Sequence, residues 1–460
     1  MGATIHDEAG VTPSLPDVVG FAPTPDPGAI DDGGPLVALG RHPGFLLFWG
    51  ADAISQIGSQ ISALALPLIA VTMLQSSPFE VGLLAALGWT PFVVVGLFAG
   101  VWVDRLRRRP VMIAADLCRS VALAIVPVAA LLGALRIETL YVAALITGTL
   151  TVFFDVAYVS YLPTLIDRRQ LVEGNSRIEA TASAAQIIGP GLGGVLVRLI
   201  GGPLATLVDA VSFLASAALL WSIEKPEPVP SAVARPDLRR EIGEGFAMLR
   251  ASRVLQALAL SAATVSFAGF LFLSVYILFM SRDLGLDAGA IGLVLATGGL
   301  GALAGTLAAA PARARFGIGP TIVGALCLFG LTGLLAPLAV FFPRHALPMV
   351  VAAEFLQWMM IVIHDINAVS LRQAIVPDRL AGRVTVSVRL LSWGMRPLGS
   401  FLGGVLGGTI GLAGTLVVGE FGMLLAFVWL LFSPIRSLRS PEPLSDPAAP
   451  ESAPTLTHVR

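Results

Sequence analysis

Long apolar runs recur along almost the whole chain, and they constrain its fold more than any other feature. Twelve such runs lie between residues 44 and 436, each near or above the roughly 20 residues that a helix needs to cross a bilayer. The pattern predicts an all-α integral membrane protein with twelve transmembrane helices. The predicted spans are 44–73, 79–103, 110–134, 139–165, 176–200, 203–223, 254–280, 287–310, 320–342, 346–375, 384–409 and 412–436.

The composition points to lipid as the main solvent. Of the 460 residues, 55% are hydrophobic and only 13% are charged, whereas a soluble globular chain carries about 25% charged residues. We therefore expect the lipid bilayer to surround the protein. Nucleic acid is not an expected partner.

The basic residues between the spans are distributed unevenly. If the amino terminus is cytoplasmic, the cytoplasmic loops hold most of them, which satisfies the positive-inside rule with both termini cytoplasmic. These loops contain Arg105, Arg107, Arg108, Arg109, Arg168, Arg169, Arg313, Arg315, Arg379, Arg383 and the segment from Lys225 to Arg253, whereas the opposite side has only Arg136, Arg198, Arg282 and Arg344.

The two ends of the chain differ from its middle. The first 40 residues are rich in Pro, Gly and Asp and lack the basic and apolar regions of a signal peptide. We interpret residues 1–40 and 438–460 as disordered cytoplasmic tails.

The chain partly matches itself at an offset of 210 residues. At this offset Gly82 aligns with Gly292, and Arg105 aligns with Arg315. A single offset that holds at distant places indicates duplication of a six-helix unit. Because six is even, both copies have the same orientation, as in transporters built from parallel repeats. The longest match pairs Gly189, Leu192, Gly193, Gly194, Val195 and Leu196 with Gly399, Leu402, Gly403, Gly404, Val405 and Leu406.

The repeat predicts two six-helix bundles, at residues 41–223 and 254–437. The cytoplasmic linker between them, residues 224–253, contains apolar residues at helical spacing opposite charged ones. We interpret this segment either as an interfacial amphipathic helix or as a solvated linker with some helix. The apolar positions are Leu238, Ile242, Phe246 and Leu249.

The loop GVWVDRLRRR after the second span carries a specific motif. Its glycine, Asp-Arg and basic pair resemble the loop signature of the major facilitator superfamily. In that family the loop latches the two bundles in the outward-open state, and the glycine permits close helix approach. The latch residues implied by the resemblance are Gly100, Asp104, Arg105 and Arg108, followed by Arg109.

The loop departs from the family pattern at one position. Arg107 occupies the place of the usual second glycine, whereas the second half keeps Gly317 there. The second half has Ala314 where the aspartate would be. A full latch is therefore expected only in the first half.

The sequence GPGLGG in the fifth span resembles the exporter motif of drug–proton antiporters. Its small residues predict a smooth face on which another helix can pack closely, and the proline removes a backbone donor. In the family this motif seals the outward-facing side against leak. The residues concerned are Gly189, Pro190, Gly193 and Gly194.

Longer phrases resemble one branch of the superfamily, that of the enterobactin exporter and macrolide efflux proteins. Among these phrases are DRLRRRPVMIAADLCR and SLRQAIVPDRLAGRVTVSVRLLSWG, and the resemblance covers about residues 41–437. The branch implies efflux of a small molecule, but its members handle different substrates.

Ionisable residues inside the spans identify the candidate site, because burying each costs of order 3 kcal/mol. Asp52 begins a polar stripe with Gln56 in the first span, which we expect to face the central cavity. A proton-coupled exporter needs a carboxylate that binds a proton on one side and releases it on the other. The candidates for proton coupling or for the substrate cavity are Asp52, Gln56, Arg119, Asp155, Glu354 and Arg396.

The sequence contains no motif for ATP binding, metal binding or covalent catalysis. No GxxxxGK[ST] motif for binding ATP phosphates occurs, the five histidines show no metal-ligand spacing, and we find no nucleophile–base pattern. We therefore predict a monomeric, non-enzymatic transporter without cofactor, metal or ATP, whose partners are protons and a small-molecule substrate.

The favoured interpretation is a proton-driven exporter of a hydrophobic or amphiphilic molecule in a bacterial inner membrane. One alternative is an exporter of siderophores or other acidic metabolites, which requires Arg396 or Arg119 to line the cavity unpaired. Another is a sensor or assembly partner that no longer transports. An importer is a third alternative, and the GPGLGG motif counts against it.

Overall fold

The protein is described here from a computed structural model, which covers residues 38–103, 105–225, 227 and 238–439. In these residues the chain is helical and contains no β-strand, so the predicted all-α class is confirmed. The chain divides into two units, Met1–His42 and Pro43–Arg460. The predicted tails lie almost entirely outside the described residues, and in the first unit only the 3-10 helix Leu39–Arg41 is described.

The second unit consists of helices joined by short connections. Its first half, here called the N-half, comprises α1 (Pro43–Leu68), which a π-helical turn at Ile69–Met73 extends, α2 (Pro78–Val94), α3 (Gly96–Val103), α4 (Arg108–Leu131), α5 (Ile137–Leu165), α6 (Leu171–Ile200) and α7 (Gly202–Trp221). After α8 (Leu238–Ala251), the C-half comprises α9 (Arg253–Arg282), α10 (Ala288–Phe316), α11 (Ile318–Gly333), α12 (Leu335–Leu338), α13 (Ala346–Ile375), α14 (Asp378–Thr409) and α15 (Leu412–Leu431).

Ten helical segments in the described residues are long and apolar enough to cross a membrane. Two predicted spans fall outside this set for different reasons. The span at 79–103 is divided at Val95 into α2 and α3. The helix α14 has 32 residues, but its arginines, glycines and proline lower its hydropathy along the whole length.

The start of α2 is fixed by local hydrogen bonds. The Ser77 hydroxyl accepts a hydrogen bond from the Glu80 backbone N–H at 3.3 Å, and the Glu80 carboxylate accepts one from the Ser77 N–H at 2.6 Å. This capping box satisfies two N–H groups that the helix start would leave unpaired. Pro78 at the first helical position adds a preset backbone angle.

Two equivalent glycine crossings are among the contacts that join the N-half to the C-half. An added Cβ at Gly82 of α2 would lie 2.5 Å from the Gly404 Cα of α14, and one at Gly194 of α6 would lie 2.8 Å from the Gly292 Cα of α10. Only glycine permits backbones to approach so closely. The offset of 210 residues converts the first pair into the second, so the crossings are equivalent contacts of the repeated unit.

Both crossings lie at the same end of the protein, which we call the crossing end. The helices α2 and α10 begin there, and α6 and α14 end there. Two polar contacts lie at this end as well, an ion pair of 3.7 Å between Arg198 and Asp287 and a hydrogen bond from Arg282 to the Ser76 carbonyl. The opposite end carries the loops with Arg105–Arg109 and Arg168–Arg169, and we call it the arginine-loop end.

The repeat also shows in the backbone angles. Gly201 and Gly411, which are 210 residues apart, have φ values of 82° and 81° at the ends of α6 and α14. Gly317 has φ 87°, but Arg107 at the matching position has φ −68°. The loop that departs from the repeat in sequence therefore departs from it in conformation, because a side chain disfavours positive φ.

The helix predicted in the linker is present as α8, and it packs against α14 and α9. Met248 and Leu249 are buried, and Gly245 faces the Arg383 carbonyl of α14, from which an added Cβ would lie 2.5 Å away. Glu244 forms an ion pair with Arg383. This helix is therefore attached to the C-half, and the protein covers part of its apolar face.

Candidate functional site

The carboxylate of Asp52 lies inside the N-half without a basic partner. Its side chain is 3% exposed, and Tyr158 of α5 and Gln56 lie beside it. In the described part of the chain, Asp52 Oδ2 and Tyr158 Oη are both buried and make no hydrogen bond of standard geometry. The Tyr158 ring stacks on Phe48 at 4.4 Å, which holds the hydroxyl against α1.

Asp155 lies one turn before Tyr158 on α5 and differs from Asp52 in exposure. Its side chain is exposed, although Asp52 and Arg119 lie within electrostatic range. No basic nitrogen of the described residues lies within 4.0 Å of either carboxylate. The structure therefore brings together an enclosed and an accessible carboxylate around one tyrosine.

Arg119 is enclosed in the core of the N-half. It forms an ion pair with Asp116, one turn earlier on α4, and Asp116 accepts a hydrogen bond of 2.7 Å from Ser216 of α7. The guanidinium lies over the rings of Phe154 and Phe213, at 4.4 and 4.2 Å from their centres. Arg119 thus joins α4, α5 and α7 rather than lining a cavity as an unpaired cation.

Replacing Arg119 by leucine is expected to destabilise the protein by about 3–5 kcal/mol, because it leaves the buried Asp116 carboxylate without its cation. The matched control is Arg177→Leu, which removes the cation of an exposed pair with Glu173 on α6 and should cost about 0.3–0.5 kcal/mol. Thermal unfolding of both variants in detergent checks this. Equal melting temperatures would contradict the structural role of Arg119.

Asp209 is a buried carboxylate whose surroundings the sequence does not indicate. Its side chain is 1% exposed. Its Oδ1 accepts a hydrogen bond of 3.0 Å from Ser212. An added Cβ at Gly58 of α1 would lie 2.5 Å from this oxygen, so the absence of a side chain at Gly58 makes room for the carboxylate.

The C-half encloses two further carboxylates. Glu354 of α13 accepts a hydrogen bond of 2.9 Å from the Trp358 indole, and Tyr276 lies beside it. Glu420 of α15 accepts one of 2.8 Å from Gln357, and its Oε2 is buried without a hydrogen bond to any described residue. Both side chains are buried. Neither has a basic group within 4.0 Å among the described residues.

Arg396 lies between the two halves, among aromatic rings. Its guanidinium carbon is 4.4 Å from the ring centre of Trp89 in α2, 5.0 Å from that of Phe270 in α9 and 4.9 Å from that of Trp393 in α14. The side chain is half-buried. No carboxylate of the described residues lies within 4.0 Å, so Arg396, unlike Arg119, has no acidic partner there.

The loop residues of the first half are attached to the N-half itself. The carboxylate of Glu227, after α7, accepts hydrogen bonds from the backbone N–H groups of Arg108 and Arg109 at 2.6 and 3.1 Å. It therefore caps the start of α4, where N–H groups would otherwise be unpaired. Arg105 is exposed, and Asp104 lies outside the described residues.

Gly100 makes no close helix approach in this conformation. An added Cβ at Gly100 would meet no atom within 4 Å. The reason is positional, since α3 ends beside the arginine-loop end, away from both glycine crossings.

The GPGLGG motif faces two different helices. Added Cβ atoms at Gly189 and Gly193 would approach α1, at 2.3 Å from the Gln60 Cβ and 3.3 Å from the Ile61 Cα. Gly194 instead meets Gly292 of α10, and the Pro190 carbonyl lies 2.8 Å from an added Cβ at Gly292. The motif therefore packs α6 within its own half and against the other half at once.

No group of three or more His, Cys, Asp or Glu side chains suited to hold a metal ion occurs in the part of the chain that the structure describes.

Comparisons with known proteins agree with the fold and identify the family. The family described as transmembrane secretion effector matches residues 35–458. The multidrug efflux pump Tap of Mycolicibacterium fortuitum is 27% identical over 401 residues, 85% of this chain and 95% of Tap. The enterobactin exporter EntS of Citrobacter koseri is 25% identical over 419 residues, 90% of this chain and 97% of EntS.

Solved structures share the fold. A bacterial homologue of the iron transporter ferroportin in an inward-facing state has a TM-score of 0.68 at 19% identity, covering 86% of this chain and 99% of that one. Its outward-facing state has a TM-score of 0.56 at 18% identity, covering 84% and 98%. Together with the family match, these likenesses show that the chain belongs to the transmembrane secretion effector family of the major facilitator superfamily, and is a membrane transporter, not an enzyme.

Proposed function

We propose that this protein is a secondary active efflux transporter that exports a hydrophobic or amphiphilic small molecule by proton antiport and alternating access. The observation that carries the proposal is the pair of equivalent glycine crossings, which join the halves at the crossing end. Two rigid halves in contact at one end can rock about their interface, as transporters built from repeats do. The similarity to Tap and EntS supports efflux as the direction.

The proposed topology has twelve spans. In it α2 with α3 forms the second span and α14 the eleventh, the bundles are residues 41–223 and 254–437, and both termini are cytoplasmic in a bacterial inner membrane. The arginine-loop end is then cytoplasmic by the positive-inside rule. The crossing end is external, and the described conformation is open to the cytoplasm. The ferroportin homologue has a higher TM-score in its inward-facing than in its outward-facing state, which supports a conformation open to the cytoplasm.

The loop after α3 is proposed to change partners during the cycle. In the described conformation Arg108 and the start of α4 bind Glu227 of their own side. When the external end opens, the cytoplasmic ends of the halves approach, and Gly100, Asp104, Arg105 and Arg108 then contact the C-half as a latch. Gly100, which has open space around it in this conformation, would permit that approach.

Proton coupling is assigned to Asp52 and Glu354, with Asp155 as an accessible relay beside Asp52. An ionised carboxylate is costly to bury without a cation, so each of these groups must exchange its charge with a proton or with the substrate as the halves move. Gln56 lies beside Asp52 on the same face of α1. The protein acts as a monomer without ATP in this account.

The experiment that tests the proposal uses inside-out vesicles from a bacterial host lacking its own efflux pumps. Respiration acidifies the vesicle interior, and a panel of macrolides, cationic dyes and siderophores is added outside. We expect at least one compound to accumulate in vesicles with the protein and not in vesicles without it. A protonophore should abolish the accumulation. The proposal is wrong if correctly folded protein in the membrane accumulates none of them.

The same vesicles address the sensor alternative. A protein that no longer transports would function in its host when Asp52, Asp155 and Glu354 are each neutralised. Substrate accumulation that depends on one of these carboxylates would exclude that alternative.

A further inference from the structure

Arg396 lies inside α14, the eleventh span of the proposed topology, and no carboxylate of the described residues lies within 4.0 Å of it. Placing an arginine at mid-membrane depth costs about 3 kcal/mol on insertion scales. A cation–π contact returns about 0.5–2 kcal/mol, and its three rings compensate part of the cost. The Nε atom is nevertheless buried without a hydrogen bond to any described residue. The guanidinium therefore keeps unused hydrogen-bonding capacity.

Arg396 lies between the halves, so the unused hydrogen-bonding capacity of its guanidinium lies there as well. The Trp89 ring belongs to the N-half, whereas the Phe270 and Trp393 rings belong to the C-half. Trp89 lies about 10 Å along α2 from the crossing at Gly82, at 1.5 Å per residue. The cluster thus lies below the closed external end in the proposed topology, at the depth where transporters of this kind bind substrate.

A second arginine strengthens the positive charge of this region. Arg389 lies two turns earlier on α14, with its guanidinium 5.0 Å from the Trp393 ring. Trp393 is therefore in contact with two guanidinium groups, and like charges that share a ring favour an anion nearby. Arg389 is exposed, whereas Arg396 is enclosed by three rings.

We propose that Arg396 and the rings of Trp89, Phe270 and Trp393 form the binding site for an organic anion with a carboxylate attached to a flat apolar group. The guanidinium fork matches a carboxylate with two parallel hydrogen bonds. The rings offer apolar faces for the flat part of the ligand. This inference rests on the proposed efflux function and specifies the substrate class of the same site.

The test compares two probes that differ only in charge. The full-length protein in lipid nanodiscs is titrated calorimetrically at neutral pH with 1-naphthylacetate and with its uncharged amide, 1-naphthylacetamide. We expect the anion to bind at least about tenfold more tightly than the amide, since hydrogen bonds between charged groups are stronger than those of a neutral amide. Arg396→Gln should remove this preference and leave the affinity for the amide unchanged.

Two further variants control the result. Arg389→Gln removes the exposed positive charge beside Trp393 but leaves the Arg396 guanidinium and its three rings in place, so it should weaken binding of the anion only slightly and keep most of the preference. Arg396→Lys keeps the charge but loses the fork, so it should weaken binding of the anion and leave that of the amide unchanged. The lysine variant decides the matter if the glutamine variant does not fold.

Several outcomes would overturn the inference. Equal affinity of the wild type for the two probes, or no binding of the anion, would show that Arg396 does not select anions. An equal loss for both probes in Arg396→Gln would show that the residue only holds α2 against α9 and α14. Export of an uncharged macrolide by that variant, measured in the vesicle assay, would then leave the proposed efflux function standing.

Discussion

Replacing Gly404 by leucine is expected to lower the transport rate at least tenfold and to shift the protein away from the conformation described here. An added Cβ at this position would lie 2.9 Å from the Gly82 Cα and 3.0 Å from the Pro78 carbonyl. Because these are backbone atoms of α2, they cannot move aside as a flexible side chain would. A side chain at Gly404 therefore forces α2 and α14 apart at the crossing. Every 1.4 kcal/mol of this strain changes the population of the state about tenfold.

The repeat supplies a second site for the same experiment. Gly194→Leu would place a side chain against Gly292 of α10, where an added Cβ lies 2.6 Å from the Ala288 carbonyl. We expect Gly194→Leu, like Gly404→Leu, to lower the transport rate and to shift the protein away from the conformation described here. Alanine at either position should have a smaller effect, since it adds only the Cβ.

The control for helix α14 is Gly408→Leu. This glycine lies one turn beyond Gly404, and an added Cβ there meets no atom within 4 Å. The variant should transport at the wild-type rate.

Spin labels at the exposed residues Val172 of α6 and Leu307 of α10 report the distance between the arginine-loop ends of the two halves. That distance should shorten in Gly404→Leu and Gly194→Leu and stay unchanged in Gly408→Leu. An unchanged distance in all three variants would show that the crossings do not control the conformation.

Neutralising Asp52 or Glu354 is expected to abolish accumulation against a gradient while leaving exchange of substrate across the membrane. Gradient-driven accumulation requires a group that changes its charge during the cycle, and a buried carboxylate without a cationic partner has that property. Exchange of labelled for unlabelled substrate requires only the movement of the halves. We therefore expect at least a tenfold loss of accumulation in Asp52→Asn or Glu354→Gln, with exchange reduced less than twofold.

The control for these variants is Glu179→Gln, which neutralises an exposed carboxylate on α6. It should leave both accumulation and exchange unchanged. If exchange is lost together with accumulation in Asp52→Asn, the residue acts in folding or in movement of the halves. Retention of full accumulation in both carboxylate variants would rule out their role in coupling.

Much of the fold could be predicted because membrane helices leave strong local signals. For most helices, the apolar runs predicted both ends to within a few residues. The repeat offset paired the glycines that form the two crossings. The division of the second predicted span at Val95 carries no such signal, since the residues on both sides of it are apolar.

The partners of the charged residues were harder to predict, because most of them come from distant parts of the chain. The pair of Asp116 and Arg119 is local, three residues apart on one helix face. The surroundings of Asp209 are set by Gly58 on another helix, and nothing in either sequence segment indicates that contact. The rings around Arg396 come from residues 89, 270 and 393, and only the packing of three helices brings them together.

Two residues outside the predicted site carry specific contacts. Glu227 lies in a proline-containing segment, where a carboxylate is expected to be solvated. Its carboxylate instead caps the start of α4. Glu420 lies alone in an apolar span, which could have marked it as a buried group needing a partner. Its partner, Gln357, is 63 residues away, which explains why spacing did not reveal the pair.

The central claim is that outward movement of substrate is coupled to inward movement of protons. The most direct measurement uses purified protein in liposomes containing a pH-sensitive dye, with a compound identified in the vesicle panel added on one side in the absence of any other gradient. Substrate entry should be accompanied by proton exit, and Asp52→Asn should lose the proton signal. Substrate entry at the wild-type rate without any proton movement would contradict the account.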